Sequence, residues 1–340
     1  MLRVPTGHIL VVEGERGQLE CLSLGDYGQE NNIKAAFLGL NRDIGEVKHQ
    51  QMLPLEKKWV ITISTQYGCS MRCSFCDVPK VGPGRNASVN DLVGQFMAAF
   101  ALHPEVKRSD RINLHYARMG EPTWNRDVLH SAYAINERLK GNWHGGVPSR
   151  LGPYTLHPVV STMMPRYNKG LEDFLLEWCE MKNGYFQGEA GLQLSINSTS
   201  DREREEMFSG NAMTIASASI IAKALPFPKG RKYTLNFAVA DWEIDARKLA
   251  ALFDPDKFIC KLTPMHKTHE ALANGIKTHG DYTTTSPYLH HEEALRKEGF
   301  DVLVFVASKE EDLGRITCGN AILAGTTPDV PYTDLILSDR

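Results

Sequence analysis

Three cysteines in the stretch Gly68-Cys69-Ser70-Met71-Arg72-Cys73-Ser74-Phe75-Cys76 are the residues of this chain best suited to chemistry. At this spacing, C-x3-C-x2-C, three thiolates can hold three irons of a [4Fe–4S] cube. Full protein ligation of a cube takes four cysteines, so its fourth iron would keep an open position, as catalytic metals do. An apolar run from Trp59 to Ile63 precedes the loop and reads as a strand, which puts the thiols just past a strand's C-terminal end. The same residues also admit a zinc site or a chance cluster. Structural zinc takes four ligands, usually as two separated pairs. His49 or Cys21 could supply a fourth, but neither is near enough in sequence to form a recognisable knuckle.

The elements that must position this loop alternate from Lys57 onward. Short runs rich in Val, Ile, Leu, Thr or aromatic residues predict strands at 57–64, 111–117, 157–163, 190–196, 232–240 and 257–263. Between them, apolar residues recurring at three- and four-residue intervals predict helices at 89–102, 126–139, 170–181, 214–225 and 244–252. Repeated βα units imply a parallel sheet with helices outside, and six of them imply a partial (β/α)6 barrel rather than a full eight-stranded one. Chemistry in such a fold gathers at the C-terminal ends of the strands, where the cysteine loop falls. Residues 1–50, with β-like runs at 9–12, 19–22 and 35–38, read as a small β appendage. The barrel unit spans 51–325 and includes a C-terminal extension with a helix near 291–298 and a strand at 301–307; 326–340 is a tail. Lys267-Thr268-His269 recurs as Lys277-Thr278-His279, and two copies do not make a repeat architecture.

Composition sets bounds on the partners. In 340 residues no apolar run approaches a membrane span, and the N-terminus lacks a signal peptide's apolar core. Seven cysteines, three of them in one loop, do not form a secreted disulfide framework, so a reducing cytoplasm is the expected compartment. The formal net charge of −3 supplies no global attraction toward nucleic acid, which would have to bind at a local basic patch.

The cysteine spacing, with an aromatic residue (Phe75) before the last thiol, resembles that of the radical S-adenosylmethionine (SAM) enzymes. Further motifs follow in order: Cys76-Asp77-Val78-Pro79-Lys80-Val81-Gly82-Pro83-Gly84-Arg85-Asn86, Met119-Gly120-Glu121-Pro122-Thr123-Trp124-Asn125, Val160-Ser161-Thr162-Met163-Met164-Pro165, Leu194-Ser195-Ile196-Asn197-Ser198, and Thr317-Cys318-Gly319-Asn320. Over roughly residues 50 to 325 this series resembles the RlmN/Cfr family of radical SAM RNA methyltransferases.

The resemblance implies a [4Fe–4S] cluster on Cys69, Cys73 and Cys76, with SAM on the open iron. It implies that Gly120 and Glu121 meet the SAM amino group, and that Ser161, Ser195 and Asn197 meet its ribose and carboxylate. His266 stands where the family usually carries Asn. Cys318 matches the methyl carrier: one SAM methylates the thiolate, and a second is cleaved to a 5′-deoxyadenosyl radical. That radical takes hydrogen from the S-methyl group, and the carbon radical adds to an adenine carbon. RNA is the implied substrate, and a reductant such as flavodoxin or ferredoxin the implied electron donor.

The chain also departs from the family. The second reactive cysteine, seven residues before the first cluster ligand, is replaced by Thr62, which cannot form a disulfide. Cys260 and Cys21 are the substitutes to consider. The family's acidic residue in the preceding strand aligns, counting from Pro54, near His49. An N-terminal helical RNA-binding domain has no counterpart, and the strand 302–308 is apolar where the family tends to be basic. Arg85, Arg118, Arg166, Arg202 and Arg204 remain candidates for an anionic site. Two alternatives stay open: the same scaffold acting on a small nucleotide or peptide, and a non-catalytic metal-binding module.

Overall fold

A computed structural model describes residues 1–45, 52–141, 154–278, 283–308, 311, 314–316 and 320–326. Strands β1 (Leu2–Val4), β2 (Gly7–Gly14) and β3 (Gly17–Leu24) form an antiparallel meander, followed by α1 (Gln29–Asn32) and β4 (Ile33–Lys34). Then come β5 (Trp59–Ile63), a two-stranded ribbon of β6 (Gln66–Tyr67) and β7 (Arg85–Asn86), α2 (Val89–Ala101), β8 (Ser109–Tyr116), α3 (Asp127–Leu139) and β9 (Tyr154–Thr162). The chain continues through α4 (Leu171–Asn183), β10 (Gly191–Ser195), α5 (Asp201–Met207), α6 (Ile215–Ala224), β11 (Tyr233–Val239) and α7 (Ala246–Leu252). It ends with β12 (Phe258–Pro264), α8 (His269–Ala273), α9 (Leu289–Lys297) and β13 (Asp301–Phe305).

Among the described residues, eleven strands join one mixed sheet in the order β1-β2-β3-β5-β8-β9-β10-β11-β12-β13-β4. From β5 to β13 every pairing is parallel. The six strands expected from periodicity are β5 and β8 to β12. β13, expected outside the repeated pattern, lies parallel against β12 and extends the sheet. The N-terminal meander belongs to the same sheet, with β3 antiparallel to β5 in the register Leu22 to Thr62. Among the described residues no helix is long and apolar enough to cross a membrane.

Parallel strands covered on both faces are usually apolar throughout. Here they alternate. Trp59, Ile61, Ile63, Ile112, Leu114, Leu192, Leu194, Leu235, Phe237, Cys260, Leu262, Val302 and Val304 are buried in one core against the helices. The intervening residues Thr62, Asn113, His115, Ser161, Gln193, Asn236 and Lys261 keep partial exposure on the opposite face. One face of the sheet therefore builds the core and the other presents polar groups. Lys261 on β12 acts electrostatically on His115 on β8, across three intervening strands.

Two local expectations need correction. Residues 35–38 are not a strand: Ala36–Leu38 is a single 3-10 turn closed by Gly39, whose positive φ of 76° brings its N–H to Ala36. The β-like composition there found no ladder partner, and Phe37 and Leu38 stay exposed. Helix α5 was missed because it is short and strongly charged. Its signal was Ser200, whose side chain accepts from the N–H of Glu203 as an N-cap.

Lys261 has no carboxylate partner among the described residues, and its ammonium lies 5.0 Å from the Phe305 ring centroid. Burial, with the charges of Arg231 and Lys58, pushes its pKa down from 10.5 to about 8. The unfolded chain then binds more protons between pH 8 and 10.5, so this lysine's penalty is complete below pH 8 and fades above it. Lys261→Met is expected to stabilise the fold by about 2 kcal/mol at pH 7, with the gain shrinking toward pH 10.5 in urea titrations.

Candidate functional site

The cysteine loop leaves β5 and β6 at the C-terminal edge of the parallel strands. It has little regular structure of its own, and its backbone is satisfied mainly by residues that follow β10 and β12. The Ser74 N–H donates to Met207 (2.8 Å), Asn211 Nδ2 to the Met71 carbonyl (3.1 Å) and Ser209 Oγ to the Arg72 carbonyl (2.7 Å). From the other side Thr268 Oγ1 donates to the Phe75 carbonyl (2.6 Å) and Asn274 Nδ2 to that of Ser74 (2.7 Å). Phe75 packs edge-on against Phe208, with centroids 6.0 Å apart. Met71, Cys73, Phe75, Met207, Phe208 and Met265 form an apolar basin, with Cys69 and Cys76 packed at its border.

Gly68 opens the loop at φ +83°, and a Cβ there would stand 1.9 Å from the Gly82 carbonyl oxygen, which accepts from the Cys69 N–H. The amides of Met71 and Gly120 both donate to the Cys69 sulfur. Burial, with the neighbouring Glu121 charge, pushes that thiol up to about 11 against those two donors. A metal's positive charge would reverse the balance and ionise it. None of the six described cysteines is in a disulfide. No three His, Cys, Asp or Glu side chains among the described residues gather around a single point as a one-ion site. The thiols of a cube each hold a different iron and do not need to.

Beside the loop, Gly120 and Glu121 follow the end of β8. Gly120 adopts φ +94° because a Cβ would stand 2.6 Å from the Gln66 side chain. The Glu121 carboxylate is buried and accepts from Thr123 N (3.1 Å), Thr123 Oγ1 (2.8 Å) and Met163 N (2.8 Å). Burial raises its pKa, opposed by these donors. Ser161 lies on β9 opposite Gln193, and Ser195 ends β10 opposite Asn236. Asn197 takes φ 59°, and its Oδ1 accepts from Ala238 N at 2.9 Å, leaving its amide group as the remaining donor. His266 follows β12 and acts electrostatically on the buried Glu311. Parallel topology thus brings Cys69, Cys73, Cys76, Glu121, Ser195, Asn197 and His266 to one edge of the sheet.

No protein-family model matches the chain. Among curated proteins it is 26% identical over 275 residues to the dual-specificity RNA methyltransferase RlmN of Sorangium cellulosum, covering 79% of this chain and 62% of that protein. It is 28% identical over 210 residues to RlmN of Campylobacter lari, covering 62% of this chain and 52% of that one. The chain is thus similar to the RlmN methyltransferases. It spans between half and two thirds of the length of these relatives. A crystal structure of a radical SAM methyltransferase from Sphaerobacter thermophilus shares the fold, with a TM-score of 0.54 at 19% identity, covering 94% of this chain and 82% of that one.

Two expected site residues, His49 and Cys318, lie outside the described residues. The described residues around Cys318 are held by a buried ion pair that sequence reading did not find. Arg118 Nε donates to Glu20 Oε1 (2.8 Å) with both side chains almost wholly buried. Arg118 Nη1 reaches the Arg315 carbonyl (2.9 Å), while the Glu20 carboxylate accepts from the N–H groups of Ala321 (3.2 Å), Ile322 (2.8 Å) and Leu323 (3.3 Å). The only signal in the sequence was a charged residue inside the apolar run of β3.

Neither candidate substitute thiol is placed at the site. Cys21 and Cys260 are buried in the helix-side core, and burial pushes the Cys21 thiol to about 12 and Cys260 well upward. Thr62 pairs with Leu22, so its side chain shares a face with Leu22 and not with Cys21. Of the five candidate arginines, Arg118 is paired with Glu20, Arg166 with Glu205 and Arg202 with Glu206. Arg204 is buried on the carbonyls of Ser195, Ile196 and Met213. Arg85 alone keeps no carboxylate or buried carbonyl partner among the described residues; its one contact is 3.5 Å to the exposed Arg16 carbonyl.

Glu20→Gln leaves the Arg118 charge buried without a counter-ion. It is expected to cost about 3 kcal/mol of stability and to speed amide exchange at Ala321 to Leu323. Unchanged protection of those three amides would show that the tail is held by other contacts.

Proposed function

We propose that this chain is a radical SAM enzyme that methylates adenine in RNA, with Cys69, Cys73 and Cys76 holding a [4Fe–4S] cluster and Cys318 serving as methyl carrier. The observation that carries this reading is the cysteine loop itself. It stands at the C-terminal edge of the first parallel strand, with three thiols at an apolar basin and two backbone amides aimed at the Cys69 sulfur. A site screened from water and furnished with N–H donors to sulfur suits an iron–sulfur cluster. The named relatives support the methyl-transfer chemistry and the RNA substrate. The run of parallel strands from β5 to β13 supports a partial (β/α)6 barrel over 51–325, with the segment 1–50 flanking it.

When bound, the cluster supplies the electron that cleaves SAM into a carbon radical. The chain's own residues bind and orient. Glu121 offers its remaining lone pairs to the SAM ammonium, which would restore the charge that burial disfavours. Ser161, Ser195, the Asn197 amide and His266 line the adjoining strand ends as hydrogen-bonding groups. The apolar basin keeps water from the reacting atoms. The electron donor is a small reducing protein such as flavodoxin or ferredoxin, and the setting a reducing cytoplasm.

A second reading, the same scaffold acting on a substrate other than RNA, is favoured by Thr62. It faces away from Cys21, and no thiol takes the place of the family's second cysteine among the described residues.

Anaerobic reconstitution is expected to give about four irons per chain, lost in Cys73→Ala, with SAM cleaved under dithionite. Zinc in place of iron, or iron content indifferent to Cys73, overturns the proposal. Glu121→Gln should keep the iron and weaken SAM binding by about 10- to 100-fold. Intact mass after SAM exposure should show a single methyl gain that Cys318→Ala abolishes. Methyl-adenosine in digests of treated RNA separates the first reading from the second.

A further inference from the structure

Next to the cysteine loop, on the side of the β6–β7 ribbon, lies an open cleft of about 480 Å³ lined by Arg16, Gln66, Ser70, Gly84, Arg85, Asn86 and Trp124. Ser70 follows the first cluster cysteine, and Gln66 accepts from the Glu121 N–H at 3.0 Å and donates to Asn86 Oδ1 at 2.8 Å. Gln66 therefore links the wall of this cleft to the backbone of Glu121 beside the cysteine loop.

The lining carries two cations and no acid. Arg16 reaches only the Asn86 carbonyl at 3.5 Å, and Arg85 only the Arg16 carbonyl at 3.5 Å; neither has a carboxylate partner among the described residues. Both are nonetheless fixed in place. The turn between β2 and β3 is pinned by Glu15 N to Asp91 Oδ1 (2.9 Å) and by Arg16 N to the Tyr67 hydroxyl (3.2 Å). The Glu15 carboxylate is occupied by Ser88 Oγ at 2.9 Å. Arg85 sits on β7, paired with Tyr67. Trp124 is held through its carbonyl by Asn86 Nδ2 at 2.8 Å, and its indole N–H has no partner among the described residues.

We propose that this cleft seats a single-stranded nucleic acid next to the reacting nucleotide, with a backbone phosphate between Arg16 and Arg85 and a flanking base against Trp124. It rests on the RNA reading above. A guanidinium fork matches phosphate oxygens, and an aromatic face stacks any base, so the pair recognises a strand with little regard to sequence. In a chain of net charge −3 the phosphate contacts must come from such a local patch. The N-terminal hairpin supplies half of it, a role that its place beyond the parallel strands did not suggest.

The test uses the iron-loaded full chain and a short fluorescein-labelled oligoriboadenylate at about 50 and 200 mM salt. Wild type should bind with salt-sensitive affinity. Arg16→Gln with Arg85→Gln should bind at least 10-fold more weakly, with a shallower salt slope, at unchanged iron content and unchanged SAM cleavage under dithionite. An unlabelled oligonucleotide should quench tryptophan emission in wild type, and Trp124→Phe should lose that quenching while still binding. Equal binding by wild type and the double variant overturns the cleft and leaves the RNA reading standing. No binding by wild type overturns both. Slowed reduction by a flavodoxin with RNA binding unaffected would reassign the cleft to the electron donor.

Discussion

Every other feature of the site depends on one constraint: a loop bearing three thiols must have its backbone hydrogen bonds satisfied without a helix or sheet of its own. An unpaired buried carbonyl costs about as much as a lost hydrogen bond, and this loop has several. The carbonyls of Met71, Arg72, Ser74 and Phe75 are met by Asn211, Ser209, Asn274 and Thr268. Those donors come from segments that follow β10 and β12, so the loop is shaped only after distant strands have taken their places. The glycine at position 68 is part of the same requirement, because any side chain would strike the Gly82 carbonyl.

The sheet beneath follows from a division of labour between its faces. Large apolar residues on alternate positions give the helices a continuous core. Polar residues on the other positions would be costly in an ordinary parallel sheet, which is covered with apolar groups on both sides. Here they are gathered on one face, where Lys261, His115 and Arg231 influence one another. Keeping Lys261 there without an acid partner costs stability but leaves that face polar. Such a surface suits a ligand with anionic and hydrogen-bonding groups.

The N-terminal meander adds two long-range links to this arrangement. Through Glu20 it engages Arg118 on one side and the backbone of Ala321, Ile322 and Leu323 on the other. Removing either charged partner would strand the other in a dry interior, so the pair ties β3, the segment after β8 and residues 321–323 into one unit. Through the β2–β3 turn it carries Arg16 to the edge of the cleft beside the cluster loop. Segments nearly the whole chain length apart thus converge on the two flanks of the same site.

Much of this was legible in the residues. Strand and helix positions followed from apolar periodicity, since a period of two or 3.6 residues is set by backbone geometry and survives in any context. The cysteine loop stood out because the spacing of its thiols is local. The roles of the arginines were not: Arg118 meets a buried carboxylate, Arg204 buried carbonyls and Arg85 only an exposed carbonyl, and these partners were set by tertiary packing. Nor could it exclude Cys21 and Cys260, whose place in the core depends on strand register, where a one-residue step reverses every side chain. What the sequence alone determined is the set of chemical groups and the local elements that carry them. Which groups meet, and which are spent on holding the backbone, was decided only when strands far apart in the chain were laid side by side.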